Sequence, residues 1–529
     1  MFDYIIRDAM VLDGSQSAAY RADVAIKDGK IAACGEVDGQ AERVINGSGL
    51  MVAPGFIDMH SHTDSNLFVD PRAESKITQG VTLEVCGNCG ASAAPVMDEP
   101  SRRWLKEWRE RHDVAEDWTT MDEFLGALEG RKIGVNFLTL VGHGNLREAV
   151  VGLQDRPATT QELAEMRQLA ADSVKAGAFG ISTGLIYAPG CFADEAELTE
   201  VTKGIAPYGG VYASHIRGER SRLIGAVQEA ISIGKNAGVA VQISHHKACG
   251  AANWGKVNTT LDMIRNAREE GMDVTADQYP YIASSTSLHT LLPDELHDGG
   301  REAMLERIKN QREELINYLD GQSANGLFGR TGAWDDILIC GVRTDKNRYC
   351  EGLTLKEIAE KRGVSGSQAT IDLLIEEETS VSMVMFGMCE EDVETVMRSD
   401  FVMVGSDAGS RATTGELSKG KPHPRSFGTF TRVLGRYVRE RQALGLERAI
   451  YKMTSLPAGK LGIKDRGSIK VGNWADLVLF DADKVIDMAT YKTPHQNSAG
   501  INYVFINGRL SVEGGELTGE LAGKVLRKK

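Results

Sequence analysis

Through most of its length the chain repeats one pattern: a short apolar run followed by an amphipathic helical stretch. Runs of strand character fall at residues 51–60, 81–86, 135–141, 178–182, 210–214, 239–244, 273–278 and 401–405, with helical stretches such as 160–176 and 220–237 between them. Successive strand–helix units require parallel strands, and about eight of them predict an α/β fold of (β/α)8 TIM-barrel type. Residues 381–386 also read as a strand, either the true seventh or an extra one. Both ends are instead β-rich. Segments 2–9, 23–27 and 30–35 at one end, and 475–480 and 501–507 at the other, are strand-like, with Asn507-Gly508 a hairpin turn. The termini are therefore expected to meet in a small β-sandwich of residues 1–53 and 465–529, around a barrel of 54–464. The stretch at about 288–347 is too long for a simple loop and carries a helical run at 301–319. It reads as an insertion over the barrel mouth. With 529 residues, 42% hydrophobic and 25% charged, the chain can bury a core of that size.

A formal charge of −14 argues against a nucleic-acid surface. No apolar run is long enough to span a bilayer. The first residues, MFDYIIRDAMVLDG, lack a basic segment followed by an apolar one, so no leader is expected. Eight cysteines without framework spacing favour reduced thiols and a cytoplasmic location. There is no solenoid-type repeat or low-complexity tract.

Polar residues collect where the strands end. The first run closes on Asp58-Met-His60-Ser-His62, and histidines two apart on a strand share a side. A lone pair of this kind is commonly two exposed turn histidines. Here four further strand ends carry Cys86-Gly-Asn-Cys89, Ser214-His215, Ser244-His245-His246-Lys247 and Gly405-Ser-Asp407. In a barrel these all lie on the face where active sites form, and the set suits a metal ion. Cys86 and Cys89 form a CxxC, which is also compatible with a redox pair or half of a structural zinc site. No second CxxC accompanies it, so Cys89 is expected as a ligand and Cys86 as a small packed hydrophobe. Cys34, Cys191, Cys249, Cys340, Cys350 and Cys389 read as buried or incidental thiols.

The segments GFIDMHSHTD, GNCGASAAP, SHIRGE, ISHHK, DQYPYIASST, GSDAGS and PHPRSFGTFTRVLG resemble those of the N-acyl-D-amino-acid deacylases, or D-aminoacylases, of the amidohydrolase superfamily. The tail DRGSIKVGNWADLVLFD resembles that superfamily's closing strand, so the likeness spans essentially the whole chain. HxH and ADxVxFD are shared by many amidohydrolases, whereas GNCG with ISHHK and PHPR is much narrower. The resemblance implies one tightly held zinc on Cys89, His215 and His245, and an adjacent weaker metal position at His60, His62 and Asp407. It also implies that Asp407 is the catalytic acid–base. The carboxylated lysine that bridges metals in many amidohydrolases has no candidate, because the fourth strand reads AFGISTG. A thiolate from the second strand can supply that negative charge, which separates this reading from a hydantoinase-like one.

The chemistry agrees. Zinc lowers the pKa of bound water to about 7 and so provides hydroxide at neutral pH. Asp407 can take the water's proton and deliver it to the leaving amine. A small-molecule N-acyl amino acid carries a free carboxylate, for which Arg425 offers a bidentate fork, with Lys247 and the hydroxyls of Tyr281 or Ser285 assisting. The resemblance assigns carboxylate binding to the matching arginine and lysine. Asp58 and Glu84 are expected as partners of ligand imidazoles, and His143 as a pocket-lining or structural histidine. One departure stands out: the segment after Asp407, AGSRATTGELSKGKPHPR, is longer than in the deacylases and carries three basic residues before Arg425. This leaves acyl and side-chain preference open. Competing readings are a cyclic-amide or N-carbamoyl hydrolase, a non-catalytic scaffold that should have lost ligands, and a redox protein needing Cys86 as much as Cys89.

Overall fold

The computed structural model describes residues 1–324, 330 and 333–529. Its centre is built from strands β1 (Phe56–Asp58), β2 (Val81–Cys86), β3 (Asn136–Thr139, followed by Val141–Gly142), β4 (Gly180–Gly184), β5 (Val211–His215), β6 (Ala240–Ile243), β7 (Val274–Gln278) and β8 (Val402–Val404). Neighbours pair in parallel from β1 through β3 and from Val141–Gly142 through β8. Hydrogen bonds then return from the last strand to the first: Met59 N–H donates to Val404 O at 3.3 Å and Asp407 N–H to His60 O at 2.8 Å. Ile57, Leu83, Leu138, Ala213 and Met403, from five different strands, meet in one apolar cluster. Such strands carry little alternation because both faces are covered, as in β2, where all six residues are buried. A larger core packs between strands and helices. Thr160–Ala176 illustrates how the helices are bounded: Thr159 and Glu162 form a capping box and Gly177 ends it.

Three differences from the sequence expectations have physical causes. The run at 51–60 divides at Gly55, where the backbone changes partners from Asp476 O to Gly80 O and passes so close to Thr82 that a side chain would overlap it. Met51–Pro54 thus pairs antiparallel with Leu477–Phe480 in the terminal sheet, while β1 continues into the centre. The terminal strands are joined in one hydrogen-bonded path of nine strands among the described residues, more connected than separate sheets, and residues from both of its ends, such as Ile31 and Leu510, share one core. Asn507 and Gly508, at φ 50° and 76°, make the turn between Ile501–Ile506 and Arg509–Glu513.

The third difference is the insertion. Val381–Phe386 is the extra strand: it lies between Ala283–Ser287 and Ile337–Val342, antiparallel to both. With its own core, including Leu288, Ile308, Leu315, Ile358 and Leu374, this unit runs well past residue 347. The helical run expected at 301–319 is two helices, Gly300–Asn310 and Arg312–Ala324. Residues 325–329, 331 and 332 of the expected insertion lie outside the described residues. Among the described residues no helix is long and apolar enough to cross a membrane.

Candidate metal centre

The loop after β2 turns back sharply, with Gly87, Cys89 and Gly90 all at positive φ (70°, 53° and 76°). It rests on the end of β4: a side chain at Gly184 would overlap the carbonyl oxygen of Cys89, and one at Gly90 would meet the Gly184 amide. The GNCG loop therefore packs directly on the end of the fourth strand and delivers a thiol there. Cys89 Sγ lies 3.2 Å from His60 Nε2 and 3.4 Å from His245 Nε2. His245 Nε2 is 2.8 Å from His215 Nδ1, and His62 Nε2 is 3.0 Å from Asp407 Oδ1. Two groups of donor atoms result, His60–His62–Cys89–Asp407 and Cys89–His215–His245, each with all atoms within 4.8 Å of one another. Cys89 belongs to both. Cys89, His245 and Asp407 each adopt positive φ (53°, 35° and 51°), a strained backbone that tends to concentrate at functional sites.

Burial alone would raise the Asp407 carboxyl, but the charges of Arg425 and His245 and the hydrogen bond with His62 hold it well below the usual range. Burial likewise opposes the Cys89 thiolate, and the imidazoles of His60, His245 and His215 pull its pKa well below an ordinary thiol's. Cys86, fully buried near Asp64 and Glu84, is pushed the other way. Asp277 and Cys89 outweigh burial to raise His60, Asp407 and Cys89 raise His62 to about 9, and burial with the neighbouring His245 lowers His215.

Two cations stand beside the cluster. Arg425 is 5% exposed, with Nη1 2.7 Å from Asp407 Oδ2, Nη2 donating to Ser285 O at 3.3 Å, and its guanidinium 4.7 Å from the Tyr279 ring. Its Nε is buried with no hydrogen-bond partner among the described residues. Lys247 Nζ lies 2.5 Å from Glu219 Oε1 and 2.8 Å from His245 Nδ1. Ser285 is close to Arg425 through its carbonyl, while its hydroxyl is 3.9 Å from Cys340 Sγ. Tyr281 is engaged elsewhere, with its hydroxyl 3.4 Å from Pro424 O and 3.5 Å from Asp487 Oδ2, and Arg432 over its ring. The tyrosine beside both cations is Tyr279, whose buried hydroxyl has no hydrogen-bond partner among the described residues.

The amidohydrolase family pattern matches residues 43–277 and 345–512. Over 507 residues the chain is 38% identical to the N-acyl-D-glutamate deacylase of Alcaligenes xylosoxydans xylosoxydans, covering 96% of this chain and 93% of that one. The chain belongs to the amidohydrolase family, among the N-acyl-D-amino-acid deacylases. A solved D-aminoacylase, described as having a binuclear metal centre with one-metal activation and second-metal attenuation, matches with a TM-score of 0.83 at 35% identity over the whole of both chains. The N-acyl-D-glutamate deacylase from Bordetella bronchiseptica, in complex with zinc and a phosphonate that mimics the tetrahedral intermediate, matches with a TM-score of 0.83 at 34% identity over 99% of each chain.

Within this deacylase-family site, two carboxylates were not singled out by sequence reasoning. Asp277 Oδ1 is 3.1 Å from His60 Nδ1 and accepts the His245 amide at 2.8 Å, so one side chain fixes two clustered histidines. Glu219 Oε1 is 3.1 Å from His245 Nδ1. Both stood inside motifs already noted, DQYPY and SHIRGE, where the only available signal was a carboxylate near the end of a strand, Asp277 within β7 and Glu219 four residues past β5. Asp58 and Glu84 do not reach the rings. Asp58 accepts from Lys76 and Ser406, and Glu84 from Ser61 and Thr63. His143 begins a helix and faces Glu197 at 3.3 Å. Tyr187, also missed, packs its ring against His215 at 5.1 Å and shares a 2.9 Å hydrogen bond with Thr286.

Proposed function

We propose that the chain hydrolyses the amide bond of N-acyl-D-amino acids, releasing a carboxylate and a free D-amino acid, in a zinc-dependent reaction. The observation that carries this reading is the pair of donor clusters joined through Cys89. One thiol and two imidazoles are a donor set zinc accepts, and Cys89 Sγ and His215 Nδ1 both face His245 Nε2, at 3.4 Å and 2.8 Å. Cys89, His215 and His245 would hold the metal tightly, with His60, His62 and Asp407 as a weaker second position. The binuclear metal centre of one solved relative and the zinc of the other support a main zinc site with a second position beside it. When bound, zinc would polarise the acyl carbonyl and acidify water.

The chain's own residues supply the rest. Asp407, fixed by His62 and Arg425, is the carboxylate suited to accept a proton from water and return it to the leaving nitrogen. Arg425 would exchange its contact with Asp407 for the substrate carboxylate, anchoring the substrate and freeing Asp407 in one move. Lys247 would assist, and Asp277 and Glu219 would keep His60 and His245 oriented. Ser285 would brace Arg425 through its carbonyl. The contacts of Tyr279 favour it over Tyr281 as the aromatic neighbour of the substrate. A buried arginine favours linear N-acyl amino acids over cyclic amides, which offer no carboxylate to pair with it. The retained ligands disfavour a scaffold role.

The same reading takes residues 54–464 as a (β/α)8 barrel, since the strand order returns to its start, with the insertion beside its mouth. It takes 1–53 and 465–529 as the small terminal β domain. The free state of all eight cysteines is compatible with a reducing, cytoplasmic setting. Metal analysis together with a panel of N-acetyl-D- and N-acetyl-L-amino acids tests the function. About one tightly held zinc per chain and D-selective hydrolysis are expected. Zinc-loaded protein that turns over no N-acyl-D-amino acid would end this assignment.

A further inference from the structure

We infer that His423 is a positioning residue: it clips the backbone of Arg425 to the edge of the insertion sheet and so fixes the root of the arginine that receives the substrate carboxylate. The inference rests on the deacylase reading, which uses Arg425 of the PHPR motif and leaves the histidine two residues earlier without a role. His423 is 3% exposed, and each of its ring nitrogens has a partner. Nδ1 accepts the Arg425 N–H at 3.0 Å, and Nε2 lies 3.0 Å from Ala283 O. An amide N–H only donates and a carbonyl only accepts, so the ring is neutral with its hydrogen on Nε2. Burial and the neighbouring charge of Arg425 hold its pKa well below the ordinary histidine value, which keeps it in that form. The rings of Tyr281 and Tyr491 meet it at 5.1 Å each and nearly at right angles (88° and 85°), which fixes its orientation.

Both contacts meet a local need. The helix Arg425–Arg432 starts without a side-chain cap. The amides of Ser426 and Phe427 donate to His423 O at 3.1 Å and Pro424 O at 3.0 Å, and the Arg425 N–H is left for the imidazole. On the other side, Ala283–Ser287 is an edge strand of the insertion sheet. Ile282 O accepts the Met388 N–H at 3.1 Å, whereas Ala283 O and Ser285 O are taken by His423 Nε2 and Arg425 Nη2, at 3.0 Å and 3.3 Å. Carbonyls two apart on a strand point the same way, so the ring and the guanidinium occupy successive positions along one edge. The guanidinium itself is lightly held. Its 2.7 Å contact with Asp407 is the one the substrate carboxylate would replace, which leaves only the 3.3 Å contact with Ser285 O and the face of Tyr279. Its aim then depends on where its backbone is rooted, and His423 sets that root.

The test uses the zinc-loaded full chain, the N-acetyl-D-amino acid that it turns over best, and the α-carboxamide of the same compound. His423→Ala is expected to lower kcat/KM for the acid by about 10- to 100-fold, and for the carboxamide by no more than about 3-fold, at unchanged zinc content. His423→Asn can keep the acceptor at Nδ1 and His423→Gln the donor at Nε2, so each should restore part of the acid-to-amide ratio. If the wild type does not hydrolyse the carboxamide, inhibition of wild type and variants by the free D-amino acid and by its amide supplies the ratio. Equal losses on acid and amide, or activity on the acid like that of the wild type, overturn the inference and leave the deacylase reading standing, because a helix that is merely loosened does not tell the two compounds apart. Failure of all three variants to fold overturns it as well, by making His423 a residue of stability alone. Absence of turnover on every N-acetyl-D-amino acid overturns both.

Discussion

Replacing Lys76 with methionine tests whether the strand ends beneath the candidate centre are held by a buried ion cluster. Lys76 Nζ donates to Asp58 Oδ2 at 2.7 Å, Ser406 Oγ at 2.8 Å and Ala408 O at 2.7 Å, and lies 3.1 Å from Glu84 Oε1. The side chains of Lys76, Asp58 and Glu84 are all 0% exposed. Three charge-assisted hydrogen bonds at about 1.5–3 kcal/mol each would sum to about 5–9 kcal/mol. Methionine refills most of the volume and a carboxylate left behind can take up a proton, so the net loss should approach the ~3–5 kcal/mol typical of breaking a buried pair. Because Ser406 and Ala408 flank Asp407, the variant should also lose turnover at unchanged zinc content. Denaturant unfolding gives the loss as a shifted midpoint at constant slope. A double-mutant cycle with Asp58→Asn isolates the pair, and a coupling of at least about 1 kcal/mol is expected between groups in contact. A loss under about 1 kcal/mol, or additive single changes, would refute the view that this cluster fastens β1 to β8.

Cys89→Ala should strip the zinc, while Cys86→Ala, a thiol fully buried in the core, should keep it. Metal content measured by atomic emission decides, and equal loss in both would support a CxxC pair instead. Asp407→Asn should retain the metal but lower kcat by about 10²- to 10⁴-fold, and a fully active variant would remove Asp407 from the mechanism. Lys452 donates to Val402 O at 2.8 Å and to Ser399 O, and burial together with the charge of Arg448 lowers its pKa from 10.5 to about 7. Between those values the unfolded chain binds the extra proton, so stability should rise with pH from about 7 towards 10.5 and level off below. In Lys452→Met that rise should be smaller, and parallel unfolding profiles for the two proteins would contradict the assignment.

The central strands were legible because a strand covered on both faces is a short apolar run bounded by turns. The break at Gly55 was not, because residues 51–60 are apolar on both sides of it and the change of pairing partner there is set by distant strands. The candidate ligands were legible because five strand ends carried suitable side chains at once. Asp277 was not, because its contact with His60 spans 217 residues and needs the closed strand order to exist. Tyr281 was named from the sequence, and Tyr279, two residues before it, was not. Both follow the end of β7 at Gln278, and beyond a strand the alternation that tells sides apart is lost. The antiparallel sheet of the insertion was hidden for a related reason: Val381–Phe386 has a strand pattern, but pattern does not encode which strands it joins.

The cysteine that joins both clusters depends on a residue with no side chain. Gly184 ends β4 directly under the GNCG loop, and a methyl group there would overlap the backbone oxygen of Cys89, closer than real side chains come to any atom. Backbone cannot swing aside as a flexible side chain can, so Gly184→Ala must lift the loop. Metal sites tolerate displacements of only about 0.5 Å. Cys89 is also already at a strained φ of 53°, with its Sγ at 3.2 Å and 3.4 Å from the two imidazoles. Gly184→Ala should therefore lower zinc retention and kcat together although every donor atom remains in the sequence. Gly225→Ala, in the helix Leu223–Ala237 with open space around the position, should change neither. If Gly184→Ala held zinc as the wild type does, the thiolate's position would not be set by the fourth strand.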